Sequence, residues 1–277
     1  MNWKILFKTI SVLMILFFHK SQGQNYRVEY QMIYKTDSSN VETTIKNMIL
    51  LVKDHQSKFF SKEQFANDSI LIEKEKTKGK AQKKYDYNFM IIKDHQQKKL
   101  YKFTPLLRDF YKTSENIPTF SWMISNETKK IANYTSQKAT LNYGNRTWEA
   151  WFTTDIALQE GPYIFYGLPG LIIHMKDSKD NYEFSFTGVK KDDTTDIHYL
   201  SAIPLEVTKK QLQKVLLDHY NDPYREMKAG KIKVRWQDED GKEFKPDYKE
   251  LTKTEQKNIR KHNNPIEVSE AMKYPAK

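Results

Sequence analysis

From Tyr26 to Ile203 the chain repeats one pattern. Short stretches of alternating apolar and polar residues are separated by short polar turns. Tyr26, Val28, Tyr30, Met32 and Tyr34 alternate with Arg27, Glu29, Gln31 and Lys35, and a period of two places one apolar and one wet face on a strand. Further strands are expected near Thr43 to Val52, Lys58 to Ser61, Asn88 to Ile92, Lys99 to Phe103, Thr119 to Ile124, Ile131 to Leu141, Thr147 to Phe152, Leu171 to Met175, Tyr182 to Lys190 and Ile197 to Ile203. Asp37-Ser38-Ser39-Asn40, Asn142 to Arg146 and Asp177 to Asn181 are typical of the turns between them. Such connections are too short for crossover helices. The expectation is therefore a mostly β (α+β) fold: a single curved antiparallel sheet with one or two packed helices, half-barrel-like by analogy of shape.

One helix is well signalled. Thr208 can cap it, Gln211 completes a capping box, and Leu212, Val215, Leu216 and Tyr220 share a face expected to pack on the sheet. Residues 63–76 read as helix or loop. Beyond Lys228 the texture becomes strongly charged, with a hairpin turn at Asp240-Gly241 and a short helix near Thr252 that stops before Asn264-Pro265. The domain expectation is a signal peptide at 1–23, a β-rich domain at 24–227 and a charged C-terminal extension at 228–277 that contributes little core.

The signal peptide rests on Lys4 and Lys8, the apolar run from Ile10 to Phe18, and small Ser21 and Gly23 before Gln24. That run is too short to span a bilayer. Cleavage would remove Lys4, Lys8 and Lys20 and lower the formal charge from +11 to +8. The expected location is periplasmic or secreted. The remaining positive charge suits peripheral contact with anionic lipid, while nucleic acid is not an expected partner. With no cysteine in the chain, disulfides, thiolate catalysis and Cys-ligated metals are excluded. No metal site and no cofactor is expected.

The usual catalytic signatures are missing, and no catalytic residue is assigned from spacing. Two segments echo one another: Lys53-Asp54-His55-Gln56-Ser57-Lys58 and Lys93-Asp94-His95-Gln96-Gln97-Lys98. They read either as paired His–Asp groups or as two hairpin ends with the same turn chemistry. His174 lies on an apolar strand and is expected to share a face with Ile172.

The strongest local signal runs from Trp148 to Ile173. Trp148, Trp151, Gly161, Pro162, Tyr163, Phe165, Tyr166 and His174 are the candidate ligand or corner contacts. Pro169 and Gly170 suit a type II turn, with Gly170 at positive φ. The stretch between Phe152 and Leu171 is long for a meander, which favours either a corner plug or the mouth of an apolar cleft.

Gly167, Leu168, Pro169, Gly170, Leu171 and Ile172 spell the hexapeptide of the GLPGLI family. With Trp122, Ala150-Trp151-Phe152-Thr153, Asp155-Ile156 and Gly161-Pro162, the chain resembles that family up to about Asn181. The resemblance implies an exported protein of the bacterial envelope with no established activity. Three functions are then in view. The first is non-enzymatic binding of an apolar or amphipathic ligand or peptide, in a pocket lined by Trp148, Trp151 and Tyr163. The second is a structural protein of the outer envelope, or one that binds an outer-envelope protein, with a filled sheet interior and an exposed sheet edge or apolar patch. The third is an unrecognised hydrolase or metalloenzyme, in which His174, His55 or His95 would converge with Asp155 or Glu160. The balance of these readings is against an enzyme.

Overall fold

The computed structural model describes residues 25–79, 86 and 88–275, so the expected signal peptide lies outside the described residues. Twelve strands form one open sheet. They are β1 (Tyr26–Tyr34), β2 (Thr44–Lys53), β3 (Gln56–Ser61), β4 (Ile91–Asp94), β5 (Lys99–Leu106), β6 (Asp109–Asn116), β7 (Met123–Ile131), β8 (Tyr134–Tyr143), β9 (Arg146–Thr153), β10 (Leu171–Asp177), β11 (Tyr182–Lys191) and β12 (Leu205–Glu206). The helices are α1 (Lys62–Lys76), α2 (Lys209–Asn221), α3 (Arg225–Lys228) and α4 (Tyr248–Lys261).

The order across the sheet is β12-β6-β5-β4-β3-β2-β1-β11-β10-β9-β8-β7. Two antiparallel meanders therefore meet at the centre, where β1 pairs with β11. One walks outward from β1 to β6, and the other walks inward from β7 to β11. The only parallel pairing among these strands is the short one between β12 and β6. The fold is thus the mostly β, single-sheet architecture that the alternating pattern implies.

Both faces of the sheet's middle are covered. On one face, Val28, Tyr30 and Met32 of β1 join Met48, Leu50, Phe59 and Ile91, and the β9–β10 connection lies over them with Ile156, Ile164, Phe165 and Leu168. On the other, Ile49, Leu51, Phe60, Ile92 and Phe103 pack with Ile197 and Phe65. This explains the unbroken apolar run Met48–Val52, which a one-sided strand would not have.

Among the described residues there are four α-helices, where one or two were expected. Ser61 caps α1 by accepting from the Gln64 N–H, and its first turn tucks Gln64 against the sheet. The capping box of Thr208 and Gln211 starts α2. The helix α2 packs against α4 and β6, and Tyr220 is its only buried residue among those described. Asp247, not Thr252, caps α4. The extension also contributes more core than its composition suggests: Ile266 is buried in the main cluster.

Candidate functional site

The β9–β10 connection, residues 154–170, is a packed corner. Three backbone bonds hold it down: Gly167 N–H to Gln159 O, Leu171 N–H to Ile156 O and Ile172 N–H to Glu160 O. They fix Glu160 over the sheet, nearly buried at 7% exposure. Gly161 follows it because any Cβ there would come within 2.6 Å of the Ile172 side chain. The turn at Gly170 is tighter than type II. Its N–H donates to Leu168 O at 2.7 Å, across Pro169, and its φ is +151°.

Glu160 is the hub of a charged cluster inside the apolar face. One carboxylate oxygen accepts from the Lys93 ammonium, which also donates to Phe165 O at 3.3 Å. The other lies 2.6 Å from His95 Nε2. The His95 ring meets Tyr166 edge-on at 4.9 Å between centroids. Burial opposes ionisation of Glu160, but the Lys93 charge and the hydrogen bond from His95 outweigh it and hold its pKa below the usual glutamate value. Tyr30 is buried beneath; burial first, then the Glu160 charge, pushes its phenol well above normal. The fixed Glu160 carboxylate holds the half-exposed His95 imidazole in one orientation. Glu160 itself has both oxygens engaged and is out of reach of a substrate.

His95 therefore meets Glu160. The other pairings do not form. His174 contacts Glu183 at 2.9 Å, Asp155 is exposed, and His55 offers only its backbone oxygen, to the His95 N–H at 2.8 Å. The echo at 53–58 and 93–98 places two hairpin ends side by side, linked by Gln56 Nε2 to Asp94 Oδ2 at 2.7 Å. Among the described residues no group of three or more His, Asp or Glu is placed to hold a metal ion.

The expected aromatic pocket is not built that way. Trp148 and Phe165 are buried against each other in the main core, with centroids 4.9 Å apart. Trp151, an odd number of residues along β9, faces the other side and carries the Lys129 ammonium 3.8 Å from its ring. Gly161 and Pro162 are buried in the corner, as are Leu168, Leu171 and Ile172 of the hexapeptide, whereas Gly167 is solvent-facing. Tyr166 donates its hydroxyl to Pro118 O at 2.9 Å. His174 does not share a face with Ile172. Ile173 is an extra residue in β10, so Ile172 and Ile173 both enter the core and His174 is turned opposite Trp151.

Two of the clefts among the described residues concern the candidate residues. One, of about 940 Å³, opens between α1 and residues 190–199, with Phe65, Tyr199, Asp68, Asp192 and Asp196 in its wall. Lys58 lies at its base and donates to Tyr199 O at 2.7 Å, 4.5 Å from the centre of the Phe60 ring. Burial lowers the Lys58 pKa to about 8, against the pull of Asp68 and Asp196. The other cleft, of about 440 Å³, is bounded by β5, α2 and residues 263–274, with Tyr163 and Lys102 in its wall. Tyr163 adopts φ +53°, a strained conformation for an aromatic residue.

The site thus belongs to a single-sheet β domain with a charged hub under a packed corner. The profile described as "N-glycanase peptide, N-terminal domain" matches residues 28–214, and the chain belongs to that family. Two solved structures of PNGF-II, in the P21 and C2 space groups, are similar to it. They show 21% and 20% identity over 69% and 70% of this chain, with a TM-score of 0.49 each. The chain spans about a third of the length of those proteins, 32% in both cases. No curated protein matches the chain.

This membership corrects four expectations. The GLPGLI resemblance is overturned: the hexapeptide is a corner whose shape is demanded by packing, so it does not by itself mark a family. The non-enzymatic envelope binder and the balance against an enzyme fall with it, because the family is that of an N-glycanase domain. The description as an envelope protein of unknown function is replaced on the same ground, and the hydrolase alternative agrees better with the family.

Proposed function

We propose that this chain takes part in the enzymatic release of glycans from N-glycosylated peptides, with the role of an N-terminal domain that engages the glycan. The observation that carries this reading is the family match across residues 28–214, more than half of the chain. The larger cleft supports it in chemical terms. Its volume of about 940 Å³ suits an oligosaccharide segment. Phe65 and Tyr199 offer apolar ring faces to sugar C–H groups, and Asp68, Asp192 and Lys58 offer acceptors and donors to hydroxyls.

The test is a titration of the full chain against a fluorescent N-glycopeptide and the same peptide after glycan removal. Selective binding of the glycosylated form is expected, weakened by Asp192→Ala. Equal binding of both peptides, or of neither, refutes the reading.

A further inference from the structure

Residues 264–270 cross the sheet end in a way that ordinary tail packing does not require. Three successive carbonyls are each taken by a side chain of the β domain. Tyr182 donates its hydroxyl to Asn264 O at 2.6 Å. Arg146 donates to Pro265 O and to Ile266 O, both at 2.9 Å. Arg146 is itself held by Asp177 at 3.1 Å, so the guanidinium is aimed before the tail arrives.

Next to this row, Ile266 fills an apolar socket and is 3% exposed. The Glu267 carboxylate then enters a cradle of three donors: Lys102 at 2.5 Å, Tyr143 at 2.7 Å and Tyr163 at 3.1 Å. Burial works against the Lys102 charge, but Glu267 and Glu115 together hold its pKa above the usual lysine value. Tyr163, the strained residue, donates to this carboxylate.

The cradle and its occupant have different provenance. Lys102, Tyr143, Arg146, Tyr163 and Tyr182 all lie within residues 28–214, which the family shares, whereas residues 264–270 lie outside that match. Main-chain carbonyls read in series, one apolar socket and one carboxylate cradle are the elements of peptide recognition. We propose that this groove is a binding site for an extended peptide with an acidic residue after an apolar one, and that the chain's own residues 264–270 occupy it in cis. The groove is then closed to other peptides until the tail lifts. This proposal is independent of the glycan reading and is read by a different signal.

Glu267→Ala, made in the full chain, removes the cis carboxylate and leaves the receptor intact. The probe is a fluorescent synthetic peptide with the sequence of residues 263–272. Cis occupancy lowers apparent affinity by the fraction of open groove, so the variant is expected to bind the probe about tenfold more tightly than the parent chain. A probe with Gln at the Glu267 position is expected to lose at least that factor. Equal binding of the Glu and Gln probes, or binding of neither by a folded variant, overturns the proposal. Should the variant not fold, hydrogen exchange on the parent chain decides. Saturating acidic peptide is expected to speed exchange across residues 263–272, and unchanged exchange overturns the proposal.

Discussion

Gly170→Ala tests the geometry of the corner most directly. A Cβ at this position would lie 2.0 Å from Thr153 O and 2.6 Å from Thr153 C. Both are backbone atoms of β9, and Thr153 pairs with Leu171 in the register that carries the corner. No side chain can rotate away, so the strand or the turn must move by about an ångström. Such overpacking costs about 1–3 kcal/mol. The φ of +151° adds about 1–3 kcal/mol for any residue with a Cβ. The expected loss is therefore about 2–6 kcal/mol, or a fall in Tm on the order of 10 °C for a chain of this size. Gly167→Ala is the control. Gly167 also has positive φ, +91°, but a Cβ there would meet nothing within 4 Å. It should cost only about 1 kcal/mol. Thermal melts followed by circular dichroism, with urea midpoints, give both numbers. If the two variants melt together, or if Gly170→Ala matches the parent, the close-approach argument is wrong.

Glu160→Gln should cost about 3–5 kcal/mol, because it leaves the Lys93 ammonium buried without its counter-charge. Lys93→Met combined with Glu160→Gln should recover part of that loss, and strictly additive losses in urea melts would refute the pairing. Glu160 has a folded pKa below its unfolded value of ~4.3, so its stabilisation is present above that pH and is lost as the pH falls through the folded value. Glu160→Gln should therefore flatten the acid limb of stability against pH, and parallel acid limbs would contradict this. Lys58 works in the opposite sense. Its folded pKa of about 8 lies below the unfolded value, so the cost of burying its charge, about 3 kcal/mol, is complete below pH 8 and is relieved as the pH rises from 8 toward 10. Lys58→Met should be more stable than the parent at pH 7 by a margin that shrinks by pH 9.5, and a margin that does not change with pH would rule out the buried-charge explanation.

Local signals in the sequence were legible where one element decides the outcome. The period of two in β1 and the Thr208–Gln211 box each specify backbone geometry without outside help. The same parity rule separates Trp148 from Trp151, which stand three apart on one strand and so face opposite sides. A single pocket cannot be lined by both. The side on which His174 stands is hidden for a subtler reason: the bulge at Ile173 breaks the parity, and nothing in Leu171-Ile172-Ile173-His174-Met175 announces an extra residue. Strand β7 carries weak alternation and is almost wholly exposed, so its existence depends on pairing with β8 rather than on burial. The charged hub was half visible. His95 and Glu160 could be named as a pair to look for, but Lys93 reads as one more surface lysine until β4 is known to lie beneath the β9–β10 corner. The tail was least legible, since a charged composition conceals that Asn264, Ile266 and Glu267 are each received by a partner more than 80 residues away.

The central pairing of β1 with β11 has a consequence for the order of events during synthesis. Tyr26 lies opposite Lys191, so β1 must wait for β11 before its second edge is satisfied. Residues 26–116 can zip up as a growing hairpin series as they leave the ribosome, each strand finding the one before it. That half then presents the apolar β1 with a row of unpaired N–H and C=O groups at what will become the middle of the protein, an edge that invites pairing with another nascent copy. The second half cannot cap it by adding strands outward. It begins at the far rim with β7 and reaches the seam last. The slow step in folding should therefore be a docking of two preformed ribbons across a single ladder, and dilution or a holding chaperone should raise the yield of soluble protein by protecting that one edge.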